Sequence, residues 1–353
     1  MKKLTFVATA VLGMLSTTAM AQSSVTLYGI VDAAVVHTTK QVGGSKVAMD
    51  AGQMATSRWG MRGSEDLGGG LKANFGLEGT LFNDSGAAGN LFDRQATVGL
   101  SGGFGSVNLG RQNILGVDSI GLADPISLAH AGTNPNVAFS ALNAGSLYGD
   151  YGTNVGGVAQ LRQNNSIKYL TPVMSGFGGA LMYGFGEQPG NSSARSYAGV
   201  SGYYTAGAAG GAALAYAKLK NQADNSTLTL WGGGAKYAVT TALELRATYA
   251  ENKVDTTQRK IAVTGLGVNY SVSPALTLTG AYYNTKRSGD VDGKANQYIA
   301  MGKYALSKRT VLYASLTHAK AGSAALKDTS LGLITIEGQT SANRTALGVL
   351  HSF

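Results

Sequence analysis

The side chains that most often carry out catalysis are sparse in this 353-residue chain. Cysteine is absent, and the four histidines are His37, His130, His318 and His351. His351 falls on the apolar side of an alternating stretch, and the others fall in or near predicted loops. Neither a strand–turn–helix elbow carrying a nucleophilic serine nor an HExxH motif accompanies them. The sequence therefore predicts no enzyme, no metal site and no cofactor.

The charged groups that remain are mostly basic. Lys and Arg number 28 against 19 Asp and Glu, which gives a formal net charge of +9. These cations are scattered and form no run, so the sequence predicts no nucleic-acid partner. We expect the charge to act instead on whatever small solute binds to the protein or passes through it.

The elements that must position these charges are short β-strands. Along many stretches apolar and polar residues alternate, as where Leu243 and Leu245 interleave with Glu244 and Arg246. Side chains alternate across a strand, so each such strand has one apolar and one polar face. Arg58 follows this rule, because it shares a face with Gly60 while Trp59 lies opposite. The pattern fits a barrel whose apolar face meets lipid and whose polar face lines a lumen.

Connection lengths point to the same architecture. Short turns and longer polar loops alternate strictly, which predicts sixteen antiparallel strands with both termini on the short-turn side. A closed barrel also leaves no unpaired edge in the membrane. The short turns are expected at 65–71, 101–105, 172–178, 205–210, 240–243, 271–275 and 306–309, and the loops at 39–53, 82–90, 113–163, 186–195, 220–226, 252–259, 286–295 and 319–342.

The N-terminus reads as a secretory signal peptide over residues 1–21. Lys2 and Lys3 precede an apolar run, and Ala19-Met20-Ala21 supplies a cleavage site. Cleavage after Ala21 leaves a barrel domain over 22–353, and removal of two lysines reduces the formal charge from +9 to +7. No later apolar run approaches the roughly 18 residues of a spanning helix.

The third long loop, at about 113–163, is unusual in its length. A loop of roughly fifty residues within a compact β-protein usually has a function. Sixteen strands enclose more space than side chains alone can fill. Apolar segments such as 114–117 and 126–129 would be buried if the loop lay on the inner wall. We therefore expect loop 3 to fold inward and narrow the lumen.

Several stretches resemble the general porins of β-proteobacteria, of the Neisseria, Burkholderia and Comamonas type. They include SSVTLYGIVDAAV at the start of the predicted mature chain, SRWGMRGSEDLGGGLKANFGLE, FDRQATVGLSGGFGSVNLGRQ, RQNNSIKY and the terminal LHSF. The resemblance covers nearly the whole predicted mature chain. It implies a homotrimer of sixteen-stranded barrels in the Gram-negative outer membrane, passing small hydrophilic solutes.

The resemblance also implies a constriction in which arginines on the wall face acids on loop 3. Arg58, Arg94 and Arg162 match the basic cluster. By strict alternation Arg94 lies with the apolar Val98 and Leu100, a conflict that an inner wall covered by loop 3 would resolve. Arg62 and Arg111 are expected as secondary lining charges.

Asp118 and Asp124 match the acidic positions of loop 3, and Asp124 is the preferred partner of the arginines. Related porins often carry a further acid soon after, where this chain has Pro125, Ile126 and Ser127. An excess of arginine over carboxylate predicts a preference for anions.

The final Phe353 resembles the signal through which the assembly machinery recognises outer-membrane barrels, and lipopolysaccharide is an expected lipid partner. A substrate-specific channel with a saturable site is the main alternative, with Phe139, Tyr148 and Tyr151 as its candidate aromatics. A barrel that serves only adhesion or structure also remains open.

Overall fold

The computed structural model of the chain describes residues 24–129, 134, 151, 161–289, 292–322 and 338–353. The predicted signal peptide over 1–21 lies outside them. Within the described part, no helix has the length and apolar character needed to cross a membrane.

Strands make up nearly all of the regular structure. Among the described residues the helical elements are α1, Leu115–Gly121, and a 3₁₀ turn, Gly207–Ala209. The strands are β1 Ser24–Gln41, β2 Gly44–Ala51, β3 Arg58–Gly68, β4 Leu71–Phe82, β5 Ala87–Ala88, β6 Gln95–Gly102, β7 Gly105–Asn113, β8 Arg162–Leu170, β9 Phe177–Gly184, β10 Tyr197–Thr205, β11 Gly210–Lys220, β12 Thr227–Ala238, β13 Leu243–Val254, β14 Lys260–Ser271, β15 Leu276–Ser288, β16 Gly293–Ala305, β17 Thr310–Ala321 and β18 Ser341–Ser352.

These strands form one closed antiparallel barrel. Strand β1 pairs with β18 from Ile30↔Ser352 to Thr38↔Arg344, which joins the two ends of the sheet. On its other edge β1 pairs with β3 near the start of the chain and with β2 further along, so β2 and β3 together occupy one wall position. The two-residue β5 pairs only with the end of β4. The wall therefore has the sixteen strands that the alternation predicts.

The seven predicted short turns are present at one end of the barrel, but two predicted loops at the other end are largely strand. The stretch at 39–53 forms a hairpin in which β2 pairs with β1 around residues 42–43. The stretch at 286–295 extends β15 and β16 until only 289–292 connects them. Backbone ladder bonds do not depend on side-chain polarity, so polar hairpins can extend beyond the apolar band.

The outer face of the barrel is apolar over a broad band. On β18 the exposed Leu347 and Val349 alternate with the buried Ala346 and Leu350. Exposed aromatic side chains lie on the outer face near both ends of the wall, as in the girdles of outer-membrane barrels. Those nearer the loop end include Tyr183, Tyr216, Trp231 and Tyr298, and those nearer the turn end include Phe104, Phe177, Tyr204, Tyr237, Tyr270, Tyr304 and Phe353.

Candidate pore constriction

The start of loop 3 lies against the inner wall of the barrel. Helix α1 buries Leu115, Val117 and Ile120 in a cluster with inward-facing residues of β10 to β13. The backbone N–H of Leu115 donates to the hydroxyl of Tyr197 (3.4 Å), which fixes the beginning of the helix. Burial of these apolar side chains explains why this segment leaves the aqueous end of the barrel. Residues of the stretch 114–129 therefore pack against the inner wall, while a narrowing of the lumen by loop 3 stays a prediction. Most of the rest of the loop lies outside the described residues.

Asp124 anchors loop 3 and is not exposed to the lumen. Its side chain is fully buried, and one carboxylate oxygen accepts from the backbone N–H groups of Ile126 (3.2 Å) and Leu128 (2.8 Å) and from Asn134 (3.1 Å). The other oxygen accepts from the hydroxyl of Tyr283 on β15 (3.1 Å). These donors satisfy the carboxylate away from water. The preference for Asp124 as the acid that faces the arginines is therefore corrected.

Arg246 holds the same part of the loop from β13. Its guanidinium donates to the backbone carbonyl of Asp124 (2.9 Å) and to the hydroxyl of Ser127 (2.8 Å), and it also pairs with Glu244 (2.7 Å). Pro125 fits against Gly267, where a Cβ atom would approach the proline ring to 2.6 Å. The loop is thus attached to the wall by both polar and packing contacts.

A cavity of about 540 Å³ lies between the loop and the opposite wall. The structure brings three of the predicted arginines and one predicted acid to its surface, Arg58, Arg94, Arg162 and Asp118. Lys168 and Glu78 also line it. We call these six residues the constriction cluster. Four positive and two negative groups leave the cluster with a formal charge of 4 − 2 = +2.

Glu78 on β4 organises the arginines. One of its carboxylate oxygens lies 2.6 Å from Nε of Arg94, and the other lies 3.5 Å from Nε of Arg58 and accepts from the hydroxyl of Tyr28 (3.1 Å). Arg162 is 4% exposed and donates through Nε to the backbone carbonyl of Arg94 (3.2 Å). The carboxylate of Glu78 therefore contacts the guanidinium groups of both Arg94 and Arg58, and the guanidinium group of Arg162 is held by a backbone carbonyl.

Arg94 lines the cavity although strand alternation groups it with the apolar Val98 and Leu100. Val98 and Leu100 are 60% and 45% exposed on the outer face of β6, so the inner wall there is not apolar. Strand β6 begins only at Gln95, and Arg94 belongs to the irregular segment before it. Strand alternation does not apply to Arg94, and the proposed covering of an apolar inner wall is unnecessary.

Arg62 and Arg111, expected as secondary lining charges, lie outside the cavity surface. The guanidinium of Arg62 stacks over the ring of Tyr28 at 5.2 Å, near the turn end of β3. Arg111 donates to the carbonyl of Asp93 (2.6 Å) and to Asn164. A bulge redirects it, because the register of β7 shifts at Gly110, whose φ of 121° suits only glycine.

Lys168 is a basic lining residue that the sequence interpretation missed. It lies on β8, is 5% exposed and pairs with Asp118 at 2.7 Å. The signal was present, because Ile167 is exposed on the outer face and alternation then turns Lys168 inward.

A second inward segment, residues 52–57 between β2 and β3, was also missed. Met54, Ala55 and Thr56 line the cavity, and Met54 packs against the cluster that contains Ile126 and Ala129 of loop 3. The fully buried Asp32 holds the segment, because one carboxylate oxygen accepts from the N–H groups of Met54 (2.6 Å) and Ala55 (2.7 Å). Its other oxygen accepts from the hydroxyl of Tyr313.

Phe353 completes the ladder at the turn end of the barrel. Its backbone exchanges hydrogen bonds with Gly29 (3.1 and 3.3 Å). The ring covers Gly29 so closely that a Cβ atom there would lie 2.3 Å from it. The side chain remains 46% exposed on the outer face.

Solved porin structures share this architecture. An anion-selective porin from Comamonas acidovorans is 30% identical, superposes with a TM-score of 0.78 and covers 94% of this chain and 100% of its own. OmpF of Salmonella typhi in complex with daunomycin superposes with a TM-score of 0.67 over 93% of this chain and 97% of its own, at 17% identity, which shows the fold alone.

Curated sequences give the same result. Outer membrane porin protein 32 of Delftia acidovorans is 44% identical over 172 residues, which are 48% of this chain and 46% of that protein. Major outer membrane protein P.IB of Neisseria gonorrhoeae is 30% identical over 194 residues, 51% of this chain and 49% of its own. The chain spans about half the length of the curated relatives it matches. The family model of the Gram-negative porins matches residues 8–323, and the chain belongs to that family.

Proposed function

We propose that the protein is a general diffusion porin of the Gram-negative outer membrane. It forms a water-filled channel for passive passage of small hydrophilic solutes and ions, with a preference for anions. The observation that carries this proposal is the constriction cluster, in which, among the described residues, Arg58, Arg94, Arg162 and Lys168 face the two acids Glu78 and Asp118. Membership of the porin family and the likeness to an anion-selective porin support it.

Selectivity arises because the field of the cluster acts across a narrow space. Arginine stays charged at any relevant pH, and Glu78 compensates only part of the charge of Arg58 and Arg94. Charges at a narrow, partly desolvated passage are screened less than charges in bulk water. An anion passing between Arg58 and loop 3 therefore meets a favourable potential, as in other pores lined by basic rings.

Loop 3 and the segment 52–57 act together as the constriction in this proposal. Both are held by a buried aspartate, Asp124 in the loop and Asp32 on the wall, that binds backbone N–H groups. Met54 joins the two segments through the apolar cluster of Ile126. The opening would then be set by two attached segments and not by the loop alone.

Planar-bilayer recording tests the general pore. A diffusion channel gives currents that rise linearly with solute concentration and show no solute-dependent block. A saturating current, or block by one class of solute, would instead favour the substrate-specific channel. Among the aromatic candidates, the described Tyr151 gives that alternative little support. Tyr151 is 7% exposed and bonds with Ser226 at 2.9 Å against the wall, and Phe139 and Tyr148 lie outside the described residues.

The partners of the protein follow from the same proposal. Val25 and Leu27 are 67% and 61% exposed on the outer face of β1 and suit a contact between copies in a homotrimer. Phe353 is the group we expect the assembly machinery to bind. Lipopolysaccharide surrounds the loop end, and the protein is exported by means of its signal peptide, which is cleaved after Ala21. The channel needs no catalytic step, metal, cofactor or nucleic acid.

A further inference from the structure

Lysines on the outer wall near the loop end face one another across neighbouring strands. Lys286 on β15 is directly opposite Lys294 on β16. Lys320 on β17 is opposite Asn296, two residues from Lys294 on the same face. The ammonium of Lys40 donates to the hydroxyl of Ser341 (2.8 Å), which is opposite Lys320. We call these four exposed residues the lysine arc.

Such an arrangement is unfavourable without a counter-charge. Directly opposed residues have Cβ atoms about 5 Å apart and diagonal ones about 7–8 Å, and like charges at these positions repel. Two other lysines near the loop end have acids, because Lys260 pairs with Glu251 (3.5 Å) and Lys220 with Asp224 (3.4 Å). Among the described residues no carboxylate lies within ion-pair distance of Lys286, Lys294 or Lys320.

An apolar groove lies on the outer wall next to the arc, on its membrane side. It has a volume of about 900 Å³ and is lined by Leu266, Tyr282, Tyr298, Leu316 and His318. Gly280 and Ala300 form its floor, and a Cβ atom on Gly280 would meet only Val268 at 3.4 Å. The rings of Tyr282 and Tyr298 lie 5.2 Å apart, and His318 bonds to Asn343 (2.7 Å), which gives the groove a polar upper edge.

We propose that the lysine arc and this groove together bind one lipopolysaccharide molecule, with its phosphates on the lysines and an acyl chain in the groove. Lysine ammonium groups are compact charges that can each contact phosphate oxygens. A largely apolar groove directly beneath a basic edge matches a ligand with an anionic head and apolar tails. This inference rests on the proposed lipopolysaccharide contact and is independent of the proposed anion preference. A second copy of the protein could also cover such a surface. Three lysines without a counter-charge oppose this, because they would repel the same lysines on the other copy.

Binding of defined lipids to the purified full-length protein tests the site. Bisphosphorylated lipid A, monophosphorylated lipid A and inorganic phosphate are titrated against the wild type and against Lys286→Gln, Lys294→Gln, Lys320→Gln combined. A triple variant of the same charge, Lys72→Gln, Lys308→Gln, Arg309→Gln, changes the turn end and serves as the control. At about fivefold for each lysine, we expect roughly a hundredfold loss for lipid A in the first variant and wild-type affinity in the control.

The groove requires its own variant. Ala300→Phe fills the floor, and Ala314→Phe places the same ring on the outer face of β17 outside the groove. Ala300→Phe should weaken the binding of lipid A at least tenfold, and Ala314→Phe should leave it unchanged. Inorganic phosphate should bind equally weakly to both variants.

Three results would overturn the proposal. The first is that the lysine variant binds lipid A with unchanged affinity. The second is that inorganic phosphate binds to the protein as tightly as lipid A does. The third is that the lysine variant changes its oligomeric state while its affinity for lipid A stays the same. The reversal potential of the same preparations in a salt gradient reports separately on the constriction cluster. If the proposed lipid site is wrong, the lipid measurements contradict it while the reversal potential still shows a preference for anions. If the proposed pore function is wrong, the reversal potential contradicts it while lipid A still binds as expected.

Discussion

The charge of the constriction depends on a few side chains whose partners can be counted. Arg58 is the arginine with the weakest attachment, at 3.5 Å from Glu78 and with 27% of its side chain exposed. Arg94 and Arg162 are nearly buried and help hold the wall together. The residue that can change selectivity with least damage to the fold is therefore Arg58.

Arg58→Glu should shift selectivity toward cations. The substitution changes the formal charge of the cluster from +2 to 0 and places a second carboxylate beside Glu78. Reversal potentials in a KCl gradient measure the change. Lys308→Glu, at the exposed turn end, makes the same charge change outside the cluster and should leave the potential near the wild-type value. Equal potentials for wild type and Arg58→Glu would contradict the role of Arg58.

Glu78→Gln should have the opposite effect and a cost in stability. The cluster would rise from +2 to +3, so the preference for anions increases. Arg94 would lose a partner at 2.6 Å while nearly buried, which costs about 3 kcal/mol or more if the site cannot relax. Selectivity and thermal unfolding are measured together, with Glu65→Gln at the turn end of β3 as control. A weaker anion preference in Glu78→Gln would count against the account.

At the scale of elements, two segments are held inside the barrel by buried aspartates. Asp32 lies on β1 and binds the segment 52–57, and Asp124 lies in loop 3 and binds Tyr283 on β15. Both use backbone N–H groups as donors, so each carboxylate fixes the path of the chain around it. The two segments meet at Met54.

Asp32→Ala should release the segment 52–57. Two backbone N–H groups and the Tyr313 hydroxyl lose their acceptor, at a cost of about 1–3 kcal/mol for each group left buried and unsatisfied. We expect a larger single-channel conductance with more current noise. Tyr313→Phe removes only one of the three donors and should change conductance less. A conductance unchanged in Asp32→Ala would show that the segment does not limit the opening.

The sequence predicted the strands of the barrel wall but not the contacts that hold loop 3 and segment 52–57 inside the barrel. Alternation and loop spacing are local signals, so the strand number and the inward direction of Arg58 could be inferred from them. Alternation did not predict the inward position of Arg94, because this residue precedes strand β6. The role of Asp124 depends on Tyr283, which is 159 positions away in the chain, and no spacing rule brings the two together. The predicted loop 39–53 includes only the first two residues of segment 52–57, and no local pattern indicates that Asp32, 22 positions before Met54, holds this segment.

On the scale of the whole molecule, the barrel closes through its two ends. Strand β18 pairs with β1 over nine residue pairs, and Phe353 extends this ladder by its hydrogen bonds with Gly29. The last residue of the chain therefore affects closure directly and also presents an exposed aromatic ring at the turn end.

Deletion of Phe353 should lower the yield of assembled protein. The ladder loses two backbone hydrogen bonds, and the assembly machinery loses the aromatic group that we expect it to bind. Heat-modifiability gels of outer-membrane fractions measure the folded and oligomeric species. Phe177→Ala removes another exposed aromatic at the same end and is the matched control. Equal yields for the deletion and the wild type would exclude the recognition role.

The reversal potential of the wild-type channel is the most direct test of the account. The purified protein is inserted in a planar bilayer with concentrated KCl on one side and dilute KCl on the other. The formal charge of +2 at the constriction cluster predicts that chloride crosses faster than potassium, so the dilute side becomes negative. A dilute side that becomes positive would mean a cation-selective channel and would contradict the central claim.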